Sequence, residues 1–122
     1  MARHNDLGKW GEQIACDTLV AAGCAIVDRN WRIGHYEIDI VAMRGDRLIF
    51  VEVKTRSGHD IDPLDAVDRN KINHMVRSAN KYLEINRFPH DIQFDLIAVT
   101  GDPDDYKVDH IPDAFYPPLR TY

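Results

Sequence analysis

The sequence predicts a three-layer α/β domain, a mixed sheet flanked by helices, and three observations carry that prediction. An apolar stripe at spacings of three and four runs through residues 5–22. Two strand-like runs between Glu37 and Arg56 meet at a glycine turn, Met43-Arg44-Gly45-Asp46-Arg47. A second amphipathic stretch, residues 68–86, leads into the apolar run Gln93–Val99, and such a strand–helix–strand step predicts a right-handed parallel crossover. At 122 residues the chain reads as a single domain, 1–122, large enough for a modest core without disulfides or a structural metal.

In the first helix Leu7, Trp10, Ile14, Ala15, Thr18, Leu19 and Ala22 form the stripe, and Gly23 stops it. Gly8 and Gly11 are poor helix formers, so close backbone approach is expected there. Ala25–Arg32 reads as a first strand, followed by a turn at Ile33-Gly34. Trp31 with Arg29 and Arg32 is a basic-aromatic cluster with two readings: phosphate contact and base stacking, or a core Trp with surface-paired arginines. The second is slightly favoured. His35 and Tyr36 open the next strand, and residues 55–63 form a polar loop after Lys54.

Asp68 caps the second helix, whose apolar stripe is Ile72, Met75, Val76, Ala79, Tyr82 and Leu83. Its basic side is by default a solvated face; Lys71, near the N-terminal end, is the member placed to reach a neighbouring cleft. Pro89-His90 ends the pattern. Asp95 reads as a residue at the start of a fourth strand, Lys107–Ile111 as an edge strand, and residues 113–122 as irregular packing.

With 44% hydrophobic and 29% charged residues, the chain has the balance of a globule rather than a disordered segment. No apolar run reaches the length of a membrane span and no signal-peptide pattern opens the chain, so the expectation is cytoplasmic, without membrane contact. Cys16 and Cys24 lack a CxxC spacing and read as reduced, small hydrophobes. The net charge of −5 is unevenly placed: residues 91–122 hold seven of the twenty acids but two of the fifteen bases. The remaining body is neutral, which allows a phosphate-tracking groove but argues against tight sequence-blind binding at physiological salt.

The chemistry lies in the hairpin. Asp39 sits within Ile38-Asp39-Ile40-Val41, and Glu52 and Lys54 within Phe50-Val51-Glu52-Val53-Lys54. Charges among such neighbours are costly unless paired, hydrogen-bonded or metal-bound. Alternation puts Glu52 and Lys54 on one face, with Ile49, Val51 and Val53 on the other, and the hairpin folds Asp39 towards Glu52. Two carboxylates suit a hard cation such as Mg²⁺, and a lysine beside them can orient water or stabilise charge on a phosphate. Glu37 shares the face of Asp39 and reads as a supporting carboxylate.

Asp39, twelve intervening residues and then Glu52-Val53-Lys54 resemble the PD-(D/E)xK signature of restriction-endonuclease-like nucleases, with Ile38 where that signature has Pro. More specifically, G-x-x-G-E at Gly8–Glu12, R-N-W-R at Arg29–Arg32, G-H-Y-E-I-D-I at Gly34–Ile40 and F-V-E-V-K-T-R at Phe50–Arg56 resemble the YraN-type bacterial family. The resemblance implies the restriction-endonuclease-like fold, an architecture shared with archaeal Holliday-junction resolvases. By spacing alone Glu12 reads as a solvated helix acid; the resemblance makes it an additional acid at the metal site. The backbone of Val53 becomes a further ligand on the same ground.

The resulting expectation is a Mg²⁺- or Mn²⁺-dependent nuclease acting on DNA, branched or structured DNA included. Asp39 and Glu52 would be metal ligands, Glu12 a direct or water-mediated one, and Lys54 the residue positioning the attacking water. Arg32, Thr55, Arg56, Ser57 and Lys71 are the candidate nucleic-acid contacts. A homodimer suits branched substrates. The alternatives are a non-catalytic nucleic-acid-binding or adaptor module retaining the fold, and a purely structural ion-pair network.

Overall fold

A computed structural model of the chain describes residues 3–58, 68–87 and 91–115. The order is α1 (Arg3–Ala21), β1 (Ala25–Ile33), β2 (Tyr36–Arg44), β3 (Arg47–Arg56), α2 (Arg69–Ile85), β4 (Asp91–Asp102) and β5 (Asp105–Ile111). Five strands form one sheet in the order β1-β2-β3-β4-β5. All neighbours are antiparallel except β3 and β4, which the α2 crossover makes parallel. The three-layer α/β architecture read from the sequence is therefore the one observed. The predicted break at Pro89-His90, His59–Pro63 of the polar loop, and residues 116–122 of the stretch read as irregular packing lie outside the described residues.

Each helix covers one face. On the first, Ala15, Cys16 and Leu19 of α1 pack with Cys24 against Ile40, Ala42, Ile49, Val51, Ile97 and Val99. On the other, Met75, Ala79 and Tyr82 of α2 pack against Ile38, Val41, Leu48, Phe50 and Phe94. Both cysteines are buried and unpaired, as expected for small apolar residues. Among the described residues no helix is long and apolar enough to cross a membrane.

The α2 boundaries follow from local chemistry. Asp68 is extended, and its carboxylate accepts from the Lys71 amide at 2.8 Å, satisfying one of the free N–H groups of the first turn. Gly45, with φ +59, lets the β2–β3 hairpin close in two residues. Trp31 joins the α2-side core and meets Tyr82 edge-to-face at 5.2 Å, so the core reading of that residue holds.

One polar residue inside the core, Asp95, departs from the sequence reading. Asp95, expected at a strand start, lies within β4, 1% exposed. It survives there because Gln93 Nε2, the Asp113 amide and His110 Nε2 all reach its carboxylate, at 2.7, 3.1 and 2.7 Å. Tyr82 donates its hydroxyl to Asp28 at 2.6 Å; burial, with the Asp28 carboxylate, pushes its phenol far up. Tyr82→Phe leaves the Asp28 carboxylate without this donor. The expected cost is about 1–3 kcal/mol, read as a lower urea midpoint at unchanged slope.

Candidate active site

The hairpin ladder stops one residue short of the two acids. β2 and β3 pair from Arg44↔Arg47 to Ile40↔Val51, and the next positions in that register are Asp39 and Glu52. β1 and β2 pair on either side of Asp39, through Arg29↔Ile40 and Trp31↔Ile38, and the position between them on β1 is Asn30. Asp39 is thus free of regular pairing on both sides, while β3 stays fixed to β4 through Glu52↔Leu96 and on to Arg56↔Thr100. In place of a ladder bond, the Val53 amide donates to Asp39 Oδ2 at 2.8 Å. Strand alternation breaks at the same row: Ile38 and Val41 both face α2, whereas Ile40 faces α1.

Directly opposed strand residues share a face, and the Asp39 and Glu52 carboxyls do meet. The Glu52 carboxyl is pushed up to about 8 from its ordinary 4.5, first by burial and then by the Asp39 carboxylate, with which it is hydrogen-bonded. Lys71 and Lys54 oppose that shift. Burial pulls the Lys54 ammonium down, and the adjacent Lys71 and then Arg56 add to it, while Glu52 works the other way. Lys71 therefore lies beside Lys54 and Glu52, but it does not line the cleft that Lys54 borders.

Asp39 faces an open cleft of about 550 Å³ lined by Leu7, Gly8, Lys9 and Glu12 of α1 together with Asn30, Val53, Lys54, Thr55 and Arg56. Glu52 stands behind it, in a narrow crevice under α2 that it shares with Glu37, Asp39 and Met75. Gly11 explains how α1 comes so close. A side chain there would collide with the Thr55 hydroxyl and lie 2.9 Å from its methyl carbon. Gly8, by contrast, has nothing within 4 Å of the equivalent position, so the expected close approach applies to Gly11 alone.

Glu12, 13% exposed at its side chain, lines the cleft and is held there by two neighbouring side chains of β1. Asn30 Nδ2 donates to its Oε1 at 2.8 Å, and the Arg29 guanidinium reaches the same oxygen at 3.4 Å. Asn30 is a site residue the sequence reading missed. Its backbone is left-handed, φ +51, a conformation Asn tolerates better than most, and its place in R-N-W-R was the available signal. Among the described residues no three of His, Cys, Asp and Glu are gathered as a metal-holding group. Two of the three expected acids stand together, and Glu12 waits across the cleft.

The remaining candidates separate. Thr55 and Arg56 line the cleft. Ser57 is exposed and not among the lining residues. Arg32 is committed to Glu37 at 2.9 Å, a pair with both side chains largely in solvent; Glu37 also donates its amide to Ser78 Oγ. Neither Arg32 nor Glu37 lines the open cleft.

The family described as Uncharacterised protein family UPF0102 matches residues 11–99, the span that holds β1 to β3, α2, most of β4 and all the site residues above except those before Gly11. The chain belongs to this family. Similar UPF0102 proteins include one from Bacteroides thetaiotaomicron, 47% identical over 98% of this chain and 99% of its own length. Another, from Flavobacterium psychrophilum, is 43% identical over 95% and 98% respectively. Among solved structures, Pyrococcus furiosus SfsA in complex with Ca²⁺ is similar with a TM-score of 0.41 at 13% identity. That likeness covers 89% of the UPF0102 chain and 63% of the other, and concerns the fold alone.

Proposed function

We propose that this UPF0102 chain is a nuclease that hydrolyses phosphodiester bonds in DNA, branched or structured DNA in particular, with Mg²⁺ or Mn²⁺ as its cofactor. The observation that carries the reading is the meeting of Asp39 and Glu52 at the row where the β2–β3 ladder ends, beside Lys54 and an open cleft. The donor set fits a divalent ion. Burial and the Asp39 carboxylate disfavour ionisation of Glu52, which a cation between the two acids would offset, and Mg²⁺ takes one or two carboxylates while keeping several waters. Asp39, Glu52 and the Val53 carbonyl would hold the ion, with Glu12 acting through water from across the cleft. Such an ion supplies Lewis-acid polarisation of a phosphate oxygen and a more acidic water.

The protein's own part follows from placement. Lys54, biased away from its charged form by burial and by Lys71, is suited to hold and exchange a proton of the attacking water. Lys71 places its side chain beside Glu52 and Lys54. The Thr55 hydroxyl and Arg56 guanidinium, both in the cleft wall, bind non-bridging phosphate oxygens. Asn30 and Arg29 fix the Glu12 carboxylate. Action in the cytoplasm and two-fold assembly on branched substrates belong to the same proposal; light scattering reads the latter.

Linear, flapped and four-way DNA incubated with Mg²⁺ or Mn²⁺ tests the proposal. Cleavage is expected, and Lys54→Ala lowers it by about 10²-fold or more without loss of fold by circular dichroism. Equal cleavage by Lys54→Ala or Asp39→Asn disproves the assignment. Binding without cleavage in the parent protein transfers it to the adaptor reading.

A further inference from the structure

A second cleft, of about 690 Å³, opens at the other end of α1, between the β2–β3 turn and the end of β5. Its lining includes Ala22, Cys24, Arg44, Arg47, Gln93 and His110. None of these lines the first cleft. From Glu12 to Ala22 is ten helical residues, so about 15 Å separates the two along the helix.

Its charge arrangement is unusual for a turn. Arg44 and Arg47 are directly opposed across the hairpin ladder, so their side chains share one face. Opposed like charges destabilise a sheet unless an anion joins them. Arg47 has modest relief: Nη1 donates to Gln93 Oε1 at 3.2 Å, and Asp113 lies 3.9 Å away. Arg44 makes no side-chain hydrogen bond or ion pair among the described residues, and its guanidinium lies over the Gly23 turn beside Cys24.

The wall behind the arginines is built rather than incidental. The Asp95 carboxylate in it is engaged by Gln93, His110 and the Asp113 amide. The 2.7 Å contact between His110 Nε2 and Asp95 Oδ2 anchors the imidazole in this wall. Ala22, Cys24 and Ile49 give the cleft an apolar side. Two guanidiniums, an anchored imidazole and an apolar wall, in a volume usual for small-molecule sites, form a receptor for a doubly charged organic anion.

We infer that this cleft binds a phosphate monoester, with the phosphate between Arg44 and Arg47 and the organic part against Cys24 and Ile49. Its two sources are a free mononucleotide and the phosphorylated 5′ end of a DNA strand. The inference does not depend on nuclease activity.

Calorimetric titration without divalent cations tests it, using deoxyadenosine 5′-monophosphate, deoxyadenosine, and a DNA trinucleotide with and without a 5′-phosphate. The monophosphate binds and the nucleoside does not. Arg44→Glu, at an exposed position, weakens binding about 10-fold or more, and Arg47→Gln does so to a smaller extent. Tighter binding of the phosphorylated trinucleotide than of the mononucleotide identifies the strand end as the source; equal affinity identifies the free nucleotide. No binding by any phosphate monoester, equal binding of the nucleoside, or unchanged affinity in Arg44→Glu overturns the inference.

Discussion

Glu52→Gln will make the metal-free protein more stable at neutral pH while abolishing divalent-cation binding and sharply lowering DNA cleavage. The sign follows from the folded carboxyl. Its value of about 8 lies above the ordinary 4.5, so the folded state holds the proton more tightly than the unfolded chain. The contribution to stability is fully present below about 4.5 and is lost as pH rises through about 8. Wild type should therefore weaken across that window when no cation is added. The glutamine amide keeps the shape and donor of the protonated acid but cannot ionise, which removes this dependence. A gain of about 1–3 kcal/mol near pH 8 is expected.

Added Mn²⁺ should reverse the order, stabilising wild type and leaving Glu52→Gln unmoved. Because the cation displaces the Glu52 proton, binding near pH 7 should release close to one proton, measurable by calorimetry in buffers of different ionisation enthalpy. Cleavage should fall by about 10³-fold. A variant that is less stable at pH 8, or that binds Mn²⁺ as wild type does, would falsify the carboxylate-pair account.

Gly11→Val is the second large effect, and it acts without touching an acid. Any Cβ at this position meets the Thr55 side chain, with its own Cβ at 3.0 Å, and Thr55 is joined to Lys54 in a strand tied to β4. The strand cannot yield easily, so α1 must move out, carrying Glu12 and the cleft wall with it. A loss of about 2–3 kcal/mol is expected, with cleavage falling by about 10²-fold. Gly8→Ala is the matched control. Its side chain enters open space, and the exchange should raise stability by up to about 1 kcal/mol as an ordinary helix substitution. Thr55→Gly placed in the Gly11→Val chain should recover part of the lost stability, since the two changes share one contact.

How far the sequence revealed the site depended on the kind of signal. Asp39, Glu52 and Lys54 were visible because a charge in an apolar strand breaks a pattern with period two. Lys71 was visible because a helix N-terminus after a crossover points towards the end of the preceding strand. Asp95 was misread, since its partners, His110 and the Asp113 amide, arrive from another strand and the turn beyond it. No local pattern distinguishes a buried, triply bonded aspartate from an exposed one. Gly8 and Gly11 looked alike in G-x-x-G-E, and only the position of Thr55 separates them. Arg32 stands out through its basic-aromatic cluster and Ser57 through its nearness to Lys54, but neither lines the cleft.

The Val53 amide takes its partner from a side chain where a strand would ordinarily supply one. Its protection from solvent deuterium therefore tracks the position of the Asp39 oxygen as well as the opening of the sheet. One proton in the middle of a strand becomes a built-in probe. Whatever rotates that acid, whether a ligand, a substitution or a shift in acidity, will be recorded there before the neighbouring β3–β4 amides respond.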